Sequence, residues 1–152
     1  MPDPTLIADE EHNYSVQIPK VTPTGQSVEI LEDQRDGVHR VHAHSPDLSE
    51  LYFEIVSYPA QIDHDEAVAE QKGFLSRQSP DAAITATRRC AVGTSDATEF
   101  RFEGTLQGRW KVRRFVFMST PNRTYRVIYD PTSAVNERVL ESLVVAPARV
   151  GT

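Results

Sequence analysis

The chain has 152 residues, of which 39% are hydrophobic and 25% charged, as expected for one ordinary globular domain. No apolar run reaches the ~20 residues that span a bilayer, and the N-terminus lacks the features of a signal sequence, so we expect a cytoplasmic protein that does not enter a membrane. A leader removed beforehand would leave the same sequence. The only cysteine, Cys90, excludes an internal disulfide and a multi-cysteine zinc site.

The net charge of −6 is distributed unevenly along the chain. Residues 1–70 contain 15 acidic and 3 basic residues, whereas residues 88–126 contain 9 basic and 3 acidic residues. Such an asymmetry can produce a dipolar surface that orients the encounter with a partner. Two solvent-exposed faces of different sign, without any function, would account for the same counts.

The first third of the chain is predicted to form short strands. Residues 1–12 are polar and acidic and are expected to be a flexible tail, followed by a single domain over 13–146 and a C-terminal tail over 147–152. Alternating or β-branched segments, separated by turns rich in proline and glycine, predict strands over 14–19, 28–32, 38–44 and 51–58.

A helix is predicted over about residues 63–78. Asp63 can cap it, and Glu66 follows three residues later, as a capping box requires. Capping and the helix dipole also explain the run of His64, Asp65 and Glu66 without an acid–base site. The predicted apolar stripe consists of Ala67, Val68, Gln71, Phe74 and Leu75.

The sequence then returns to β-structure, with strands predicted over 83–92 and 124–129 and a hairpin over 97–118. The hairpin turn is predicted at Leu106-Gln107-Gly108. Trp110 and Val112 differ in parity from Phe115 and Phe117, so a regular strand cannot place both pairs on one face. Either a β-bulge at Arg113-Arg114 or a sheet buried on both faces is therefore predicted.

A second helix is predicted over about residues 132–145, opened by Pro131 and followed by Pro147. Its apolar stripe is Val135, Val139, Leu140 and Leu143. The complete order predicts an α+β fold, in which a mainly antiparallel curved sheet of about six to eight strands is flanked by two helices.

Several segments together resemble a known fold. They are the Tyr-x-Val-x-Ile-Pro opening, the alternating phenylalanines, the last strand and one helical serine: Tyr14, Val16, Ile18, Pro19, Phe100, Phe102, Tyr125, Val127, Ile128 and Ser142. Over about residues 14–145 the pattern is similar to the PsbP-like α+β fold. That fold is shared by the extrinsic photosystem protein, a Ran-binding nuclear import factor and many bacterial proteins of unknown function. The resemblance implies a bacterial binding or chaperone-like module without a shared enzyme site.

The most metal-like feature is a group of three histidines on one predicted strand. His42 and His44 project to the same face, and His39 projects to the other. A His-x-His pair can bind zinc if a third ligand, here Asp47 or His64, comes from elsewhere. A solvent-facing polar strand explains the same residues, and no cofactor is predicted.

Catalytic signatures are weak in this sequence. Cys90 would need a base and a lowered pKa, which Arg88 on the same strand face could favour, but a small buried apolar residue is the more common role of a lone cysteine. No phosphate-binding loop, nucleophile elbow or metalloprotease motif occurs. We therefore expect no catalytic residues and a protein that is not an enzyme.

The basic hairpin is the strongest candidate for a binding surface. If Phe100, Phe102, Trp110 and Val112 face the core, the opposite face carries Arg101, Arg109, Lys111 and Arg113. These cations could bind phosphates or an acidic protein surface, whereas nucleic acid is disfavoured by the acidic chain as a whole. Glu99 and Glu103 share that face, and cross-strand ion pairs are an equally good explanation.

The leading hypothesis is a non-enzymatic module that binds another protein. The alternative is a small-ligand-binding or enzymatic domain with a closed pocket between sheet and helix. A homodimer formed through a strand edge is a third possibility.

Overall fold

The computed structural model describes residues 4–9, 11–46 and 50–145, which form an eight-stranded sheet, a three-stranded sheet and two helices. The elements are β1 (Thr5–Asp9), β2 (Tyr14–Ile18), β3 (Glu29–Arg35), β4 (Val38–His44), β5 (Tyr52–Tyr58), α1 (His64–Gln78), β6 (Ala83–Ile84), β7 (Arg88–Val92), β8 (Ser95–Leu106), β9 (Arg109–Ser119), β10 (Thr124–Tyr129), α2 (Ala134–Ser142) and β11 (Val144–Val145).

The strand pairing is antiparallel throughout. The large sheet has the order β3-β4-β5-β10-β9-β8-β6, and β7 also pairs with β8. The small sheet has the order β1-β2-β11. Because consecutive strands are joined by short turns, antiparallel neighbours are the expected outcome. The predicted α+β class with a mainly antiparallel sheet and two helices is confirmed.

Helix α1 covers one face of the large sheet. Its first turn is capped as predicted, because the Asp63 side chain accepts hydrogen bonds from the amides of Asp65 and Glu66 at 2.8 and 3.2 Å. The buried part of its stripe, Val68 and Leu75, contacts four sheet phenylalanines: Phe100, Phe102, Phe115 and Phe117. Phe74, predicted to be part of this stripe, is instead 49% exposed.

Helix α2 and the small sheet cover the opposite face of the large sheet, where the larger apolar cluster lies. The predicted stripe is buried there: Val135, Val139, Leu140 and Leu143. The helix ends at Ser142, earlier than predicted, because Val144 and Val145 pair with β2 as β11. The Ser142 hydroxyl accepts a hydrogen bond from the backbone N–H of Gln17 at 2.9 Å and thus joins α2 to β2.

Three sequence-based expectations are corrected. Residues 1–12 were expected to be a loose tail, but Thr5–Asp9 pair with β2 along their length. The strand predicted over 83–92 is two short strands, both paired with β8.

The β8–β9 register is continuous from Ala97↔Met118 to Leu106↔Arg109, so β9 contains no bulge at Arg113-Arg114. The alternative prediction, a sheet covered on both faces, is correct because four consecutive β9 residues are buried: Phe115, Val116, Phe117 and Met118. The predicted C-terminal tail over 147–152 lies outside the described residues.

Candidate functional site

The β8–β9 hairpin extends beyond its neighbouring strands. Its two-residue turn consists of Gln107 and Gly108, both with positive φ (53° and 77°), as the common type I′ hairpin turn requires. β10 pairs with β9 only from Arg114 to Ser119, and β6 reaches β8 no further than Glu103. The end of the hairpin is thus a two-stranded ribbon with an open edge on β9.

The four predicted cations do not share one face of this ribbon. Arg101 lies opposite Arg114, while Arg113 lies opposite Phe102, and directly paired residues project to the same face. Arg101 therefore lies on the face that carries Trp110, whereas Arg109, Lys111 and Arg113 lie on the face that carries the phenylalanines. The structure corrects the predicted arrangement but leaves a partner-binding role for these residues as a prediction.

Arg113 is not available to a partner, because it is only 6% exposed. Its guanidinium carbon lies 4.1 Å from the centroid of the Tyr52 ring, and its Nη1 lies 3.7 Å from the Asp130 carboxylate. This arrangement combines a cation–π contact with a partly buried ion pair. Arg113 therefore stabilises the same sheet face that carries the phenylalanines.

The remaining cations lie on both faces of the ribbon near an exposed tryptophan: Arg101 is on the face of Trp110, and Arg109 and Lys111 are on the other face. Trp110 is 61% exposed, in contrast to the core position predicted for it. Arg101 and Arg109 are exposed, and no ion pair found among the described residues includes them or Lys111. Burial lowers the pKa of Lys111, and the positive charges of Arg113 and Arg109 lower it further. We call Arg101, Arg109, Trp110 and Lys111 the hairpin patch.

The predicted His42–His44 pair does share a face, with ring centroids 5.1 Å apart. Burial lowers the pKa of His42, although the Glu54 carboxylate acts in the opposite direction. His64 cannot complete a metal site here because it contacts Thr98 of β8 and Ser119 of β9. Three strand spacings separate β9 from β4, or about 14 Å. The other suggested ligand, Asp47, lies outside the described residues.

Cys90 lies beside a buried ion-pair network instead of a catalytic base. Glu99 is 2% exposed and pairs with both Arg88 and Arg114. Burial raises the pKa of the Cys90 thiol, the negative charge of Glu99 raises it further, and Arg114 acts in the opposite direction. Since the thiolate is the nucleophilic form, a raised pKa agrees with the structural role suggested for this cysteine.

A groove that the sequence did not indicate lies between the start of α1 and the ends of β7, β8 and β9. Its volume is about 850 Å³, and its lining includes Arg88, Arg89 and Cys90. The His64 ring spans one side, with Nδ1 3.2 Å from Thr98 Oγ1 and Nε2 2.6 Å from Ser119 Oγ. Burial lowers the pKa of His64, and the charge of Arg89 lowers it further. The lining is polar and largely exposed, which differs from the closed apolar pocket of the alternative hypothesis.

Comparison with known proteins identifies the architecture. No protein-family model and no curated protein sequence matches the chain significantly. Among solved structures, cyanobacterial PsbP (CyanoP) from Synechocystis superimposes with a TM-score of 0.64 over 96% of this chain and 94% of its own, at 8% identity. The chain has a PsbP-like fold. A Bacteroides thetaiotaomicron protein, of which 49% is covered, superimposes on 96% of this PsbP-like chain with a TM-score of 0.59 and 13% identity.

The PsbP-like architecture agrees with the resemblance noted from the sequence, and at these identities it establishes the fold alone. Neither helix of the described chain has the length and apolar character needed to cross a membrane. Two features were missed from the sequence: the exposure of Trp110 and the contact between His64 and Ser119. Trp110 was assigned to the core because it alternates with Val112 on the predicted strand. His64 and Ser119 are 55 positions apart, so no local pattern indicates their contact.

Proposed function

We propose that this protein is a non-enzymatic binding module that recognises an acidic surface of another protein through the hairpin patch. The observation that carries the proposal is Trp110, which is 61% exposed at the end of a ribbon, where its sequence neighbours Arg109 and Lys111 project from the other face. Tryptophan and arginine are enriched among the residues that contribute most to protein–protein affinity.

Charge supports an acidic partner. The patch contains three cations that form no ion pair within the described chain, while the protein as a whole carries a net charge of −6. A local positive region on an acidic protein attracts an acidic partner, while the acidic remainder of the surface repels that partner, so the encounter is oriented. The same overall charge disfavours nucleic acid, whose phosphates require a broadly basic footprint.

The test begins with the full-length chain as bait in a lysate of the native host, where we expect a cytoplasmic partner. Each captured protein is then purified, and its affinity is measured by calorimetry with wild type, Trp110→Ala and Arg109→Glu/Lys111→Glu. The expected result is a loss of affinity of at least about tenfold in both variants, with a salt dependence that the charge reversal reduces.

Two matched controls change similar residues elsewhere. Leu31→Ala removes another exposed apolar side chain, and Arg138→Glu reverses an exposed charge on α2. Both should bind like wild type. Unchanged affinity of Trp110→Ala and Arg109→Glu/Lys111→Glu would reject the hairpin patch as the binding surface. Light scattering of the chain alone shows whether the partner is a second copy, the homodimer considered from the sequence.

A second candidate function rests on the groove at the start of α1. Arg88 and Arg89 line it beside a His64 ring that contacts the hydroxyls of Thr98 and Ser119. Two guanidinium groups near hydroxyl and imidazole groups suit a small phosphorylated or carboxylated molecule. A thermal-shift screen of such compounds should give a rise in Tm that is lost in Arg89→Ala. Equal shifts in wild type and Arg89→Ala would contradict this function.

A further inference from the structure

Two buried histidines from distant parts of the chain lie side by side where the small sheet meets the β3–β4 edge of the large sheet. His12 belongs to the turn between β1 and β2, and His39 belongs to β4; each is 2% exposed. Their rings are stacked, with centroids 4.5 Å apart and planes within 6°. A buried imidazole without adequate partners destabilises the fold, so such a pair requires an explanation.

Carboxylates from β1 and β3 approach ring nitrogens of these two histidines. Asp9 Oδ2 lies 2.5 Å from His12 Nδ1 and 3.4 Å from His39 Nε2. Glu32 Oε1 lies 2.7 Å from the same Nε2 of His39. The ligand atoms of Asp9, His12 and His39 all fall within 4.8 Å of one another. Ligand atoms around a tetrahedral ion with bonds of about 2.0 Å are about 3.3 Å apart, close to the 3.4 Å between Asp9 and His39. The separations of 2.5 and 2.7 Å are those of hydrogen-bonded or ion-paired atoms, so these atoms move apart when an ion enters.

The second nitrogen of His39 has the partner that metal-binding histidines usually have. Its Nδ1 lies 2.7 Å from the hydroxyl of buried Tyr14. When Nδ1 donates its proton to that oxygen, Nε2 presents a lone pair to the carboxylates of Asp9 and Glu32. A lone pair facing two anionic groups is unfavourable unless a cation lies between them, whether a proton or a metal ion.

His12 adds an independent observation. Its buried Nδ1 is in ion-pair contact with the Asp9 carboxylate at 2.5 Å, without the angles of a regular hydrogen bond. The backbone around it is held in place, because the His12 amide donates to Asp9 Oδ1 at 3.2 Å and Tyr125 donates its hydroxyl to the His12 carbonyl. The His12 imidazole is thus fixed against the Asp9 carboxylate within the cluster.

We propose that Asp9, His12, His39 and Glu32 form a binding site for a divalent transition-metal ion, for which zinc is the best fit. Two imidazoles and two carboxylates are a typical zinc donor set, and the charge of the carboxylates balances that of the ion. Since the two rings are parallel, the His12 ring turns about its Cβ–Cγ bond to converge with His39 on one ion. The bound ion joins β1 and the following turn to the β3–β4 edge.

The site differs from the histidine pair suggested by the sequence. His42 and His44 lie on the opposite face of β4 from His39, and in the described parts of the chain they form no close group of three ligand atoms, although Glu29 lies 3.9 Å from His44. The His42→Ala/His44→Ala variant is therefore a matched control, because it removes the same side chains from the same strand and leaves the proposed ligands in place.

The experiment titrates the full-length metal-free chain with Co²⁺, followed by visible absorption, and with Zn²⁺, followed by calorimetry. We expect one ion per chain, with the absorption bands of cobalt bound by nitrogen and oxygen ligands. Asp9→Asn and His12→Gln, both nearly isosteric, should weaken binding by at least about tenfold, while His42→Ala/His44→Ala should bind like wild type. Circular dichroism of each variant confirms that it is folded.

Thermal unfolding supplies a second readout. Excess Zn²⁺ should raise the Tm of wild type and of His42→Ala/His44→Ala by binding the folded state, and should raise that of Asp9→Asn much less. The proposal is overturned if the folded wild type binds no stoichiometric metal ion, or if folded Asp9→Asn and His12→Gln bind as tightly as wild type. Loss of binding only in His42→Ala/His44→Ala would assign the metal to the other pair. None of these outcomes depends on the hairpin patch.

Discussion

Arg114 forms an ion pair with the buried carboxylate of Glu99 on the face of the large sheet that packs against α2. The same guanidinium donates to the Tyr129 hydroxyl at 2.5 Å, and Tyr129 donates to Glu137 of α2 at 3.0 Å. Burial raises the pKa of Tyr129 to about 12, so its hydroxyl remains protonated and able to donate. The network thus connects β8, β9, β10 and α2.

Removing Arg114, the mostly buried partner of Glu99, should lower the free energy of unfolding far more than removing Arg88, its exposed partner. Arg114→Met leaves a buried carboxylate without its main charge partner and should cost about 3–5 kcal/mol of unfolding free energy. Arg88, the other partner of Glu99, is 72% exposed, so Arg88→Met should cost less than about 1 kcal/mol. Urea denaturation measures both values; equal losses would contradict the described network.

Glu99 also makes the stability depend on pH. Burial alone would raise its pKa, but hydrogen bonds from Arg88 and the charge of Arg114 hold this pKa below its ordinary value. The stabilisation from Glu99 is therefore complete above the unfolded-state pKa of about 4.3 and is lost as the pH falls through the lower folded-state pKa. Thermal unfolding should show that the Tm difference between wild type and Glu99→Gln decreases as the pH is lowered. A constant Tm difference down to about pH 2 would contradict this role of Glu99.

Two glycine-to-alanine substitutions should have opposite effects. A Cβ at Gly104 would lie 2.5 Å from Ser79 Oγ and 3.1 Å from Ala82 Cα, so Gly104→Ala should destabilise the fold by about 1–3 kcal/mol. A Cβ at Gly73, inside α1, meets only the flexible end of Arg77 at 3.3 Å, so Gly73→Ala should stabilise by about 0.5–1 kcal/mol. Chemical denaturation of both variants tests the fit of the α1–β6 segment against β8.

Adjacent residues of α1 test which side of the helix faces the sheet. Leu75 is 3% exposed in the phenylalanine cluster, so Leu75→Ala should cost about 2–5 kcal/mol. Phe74 is 49% exposed, so Phe74→Ala should cost less than about 1 kcal/mol despite the larger change in volume. Denaturant midpoints compared at equal m-values distinguish the two, and a larger loss for Phe74→Ala would restore the stripe predicted from the sequence.

Local patterns predicted most of the elements because local chemistry determines them. The limits of β4 and β10 agree with the alternation in the sequence, and the Asp63 cap marks the start of α1. Where an element depends on pairing with another strand, the prediction failed. Thr5–Asp9 lies in an acidic N-terminal stretch that suggests a tail, yet the neighbouring β2 supplies a ladder of hydrogen bonds to it.

The error in the hairpin faces has a simple origin. A turn over Leu106-Gln107-Gly108 would place even-numbered residues of both strands on one face. The actual turn has two residues and pairs Leu106 with Arg109, so even-numbered residues of β8 share a face with odd-numbered residues of β9. One residue of turn length inverts the facing of a whole strand. Arg101 and Arg113 were separated by this difference.

The strongest features of the candidate sites are tertiary and have no counterpart in local sequence. His12 and His39 come together because β1 and β2 fold against the β3–β4 edge, and a sequence search for metal ligands finds the closer-spaced His42 and His44 instead. Likewise, the His64–Ser119 contact depends on how α1 lies across the sheet.

The outer strand of the large sheet, β3, has consequences for solubility. One of its edges is unpaired within the described chain, and it carries exposed acidic side chains: Glu29, Glu32 and Asp33. At neutral pH these carboxylates repel the same edge of a second molecule, which protects a sheet that would otherwise be open to further strand pairing. Leu31, 50% exposed on the same strand, would otherwise favour contact between molecules. The acidic side chains of this edge strand thus oppose aggregation through intermolecular strand pairing.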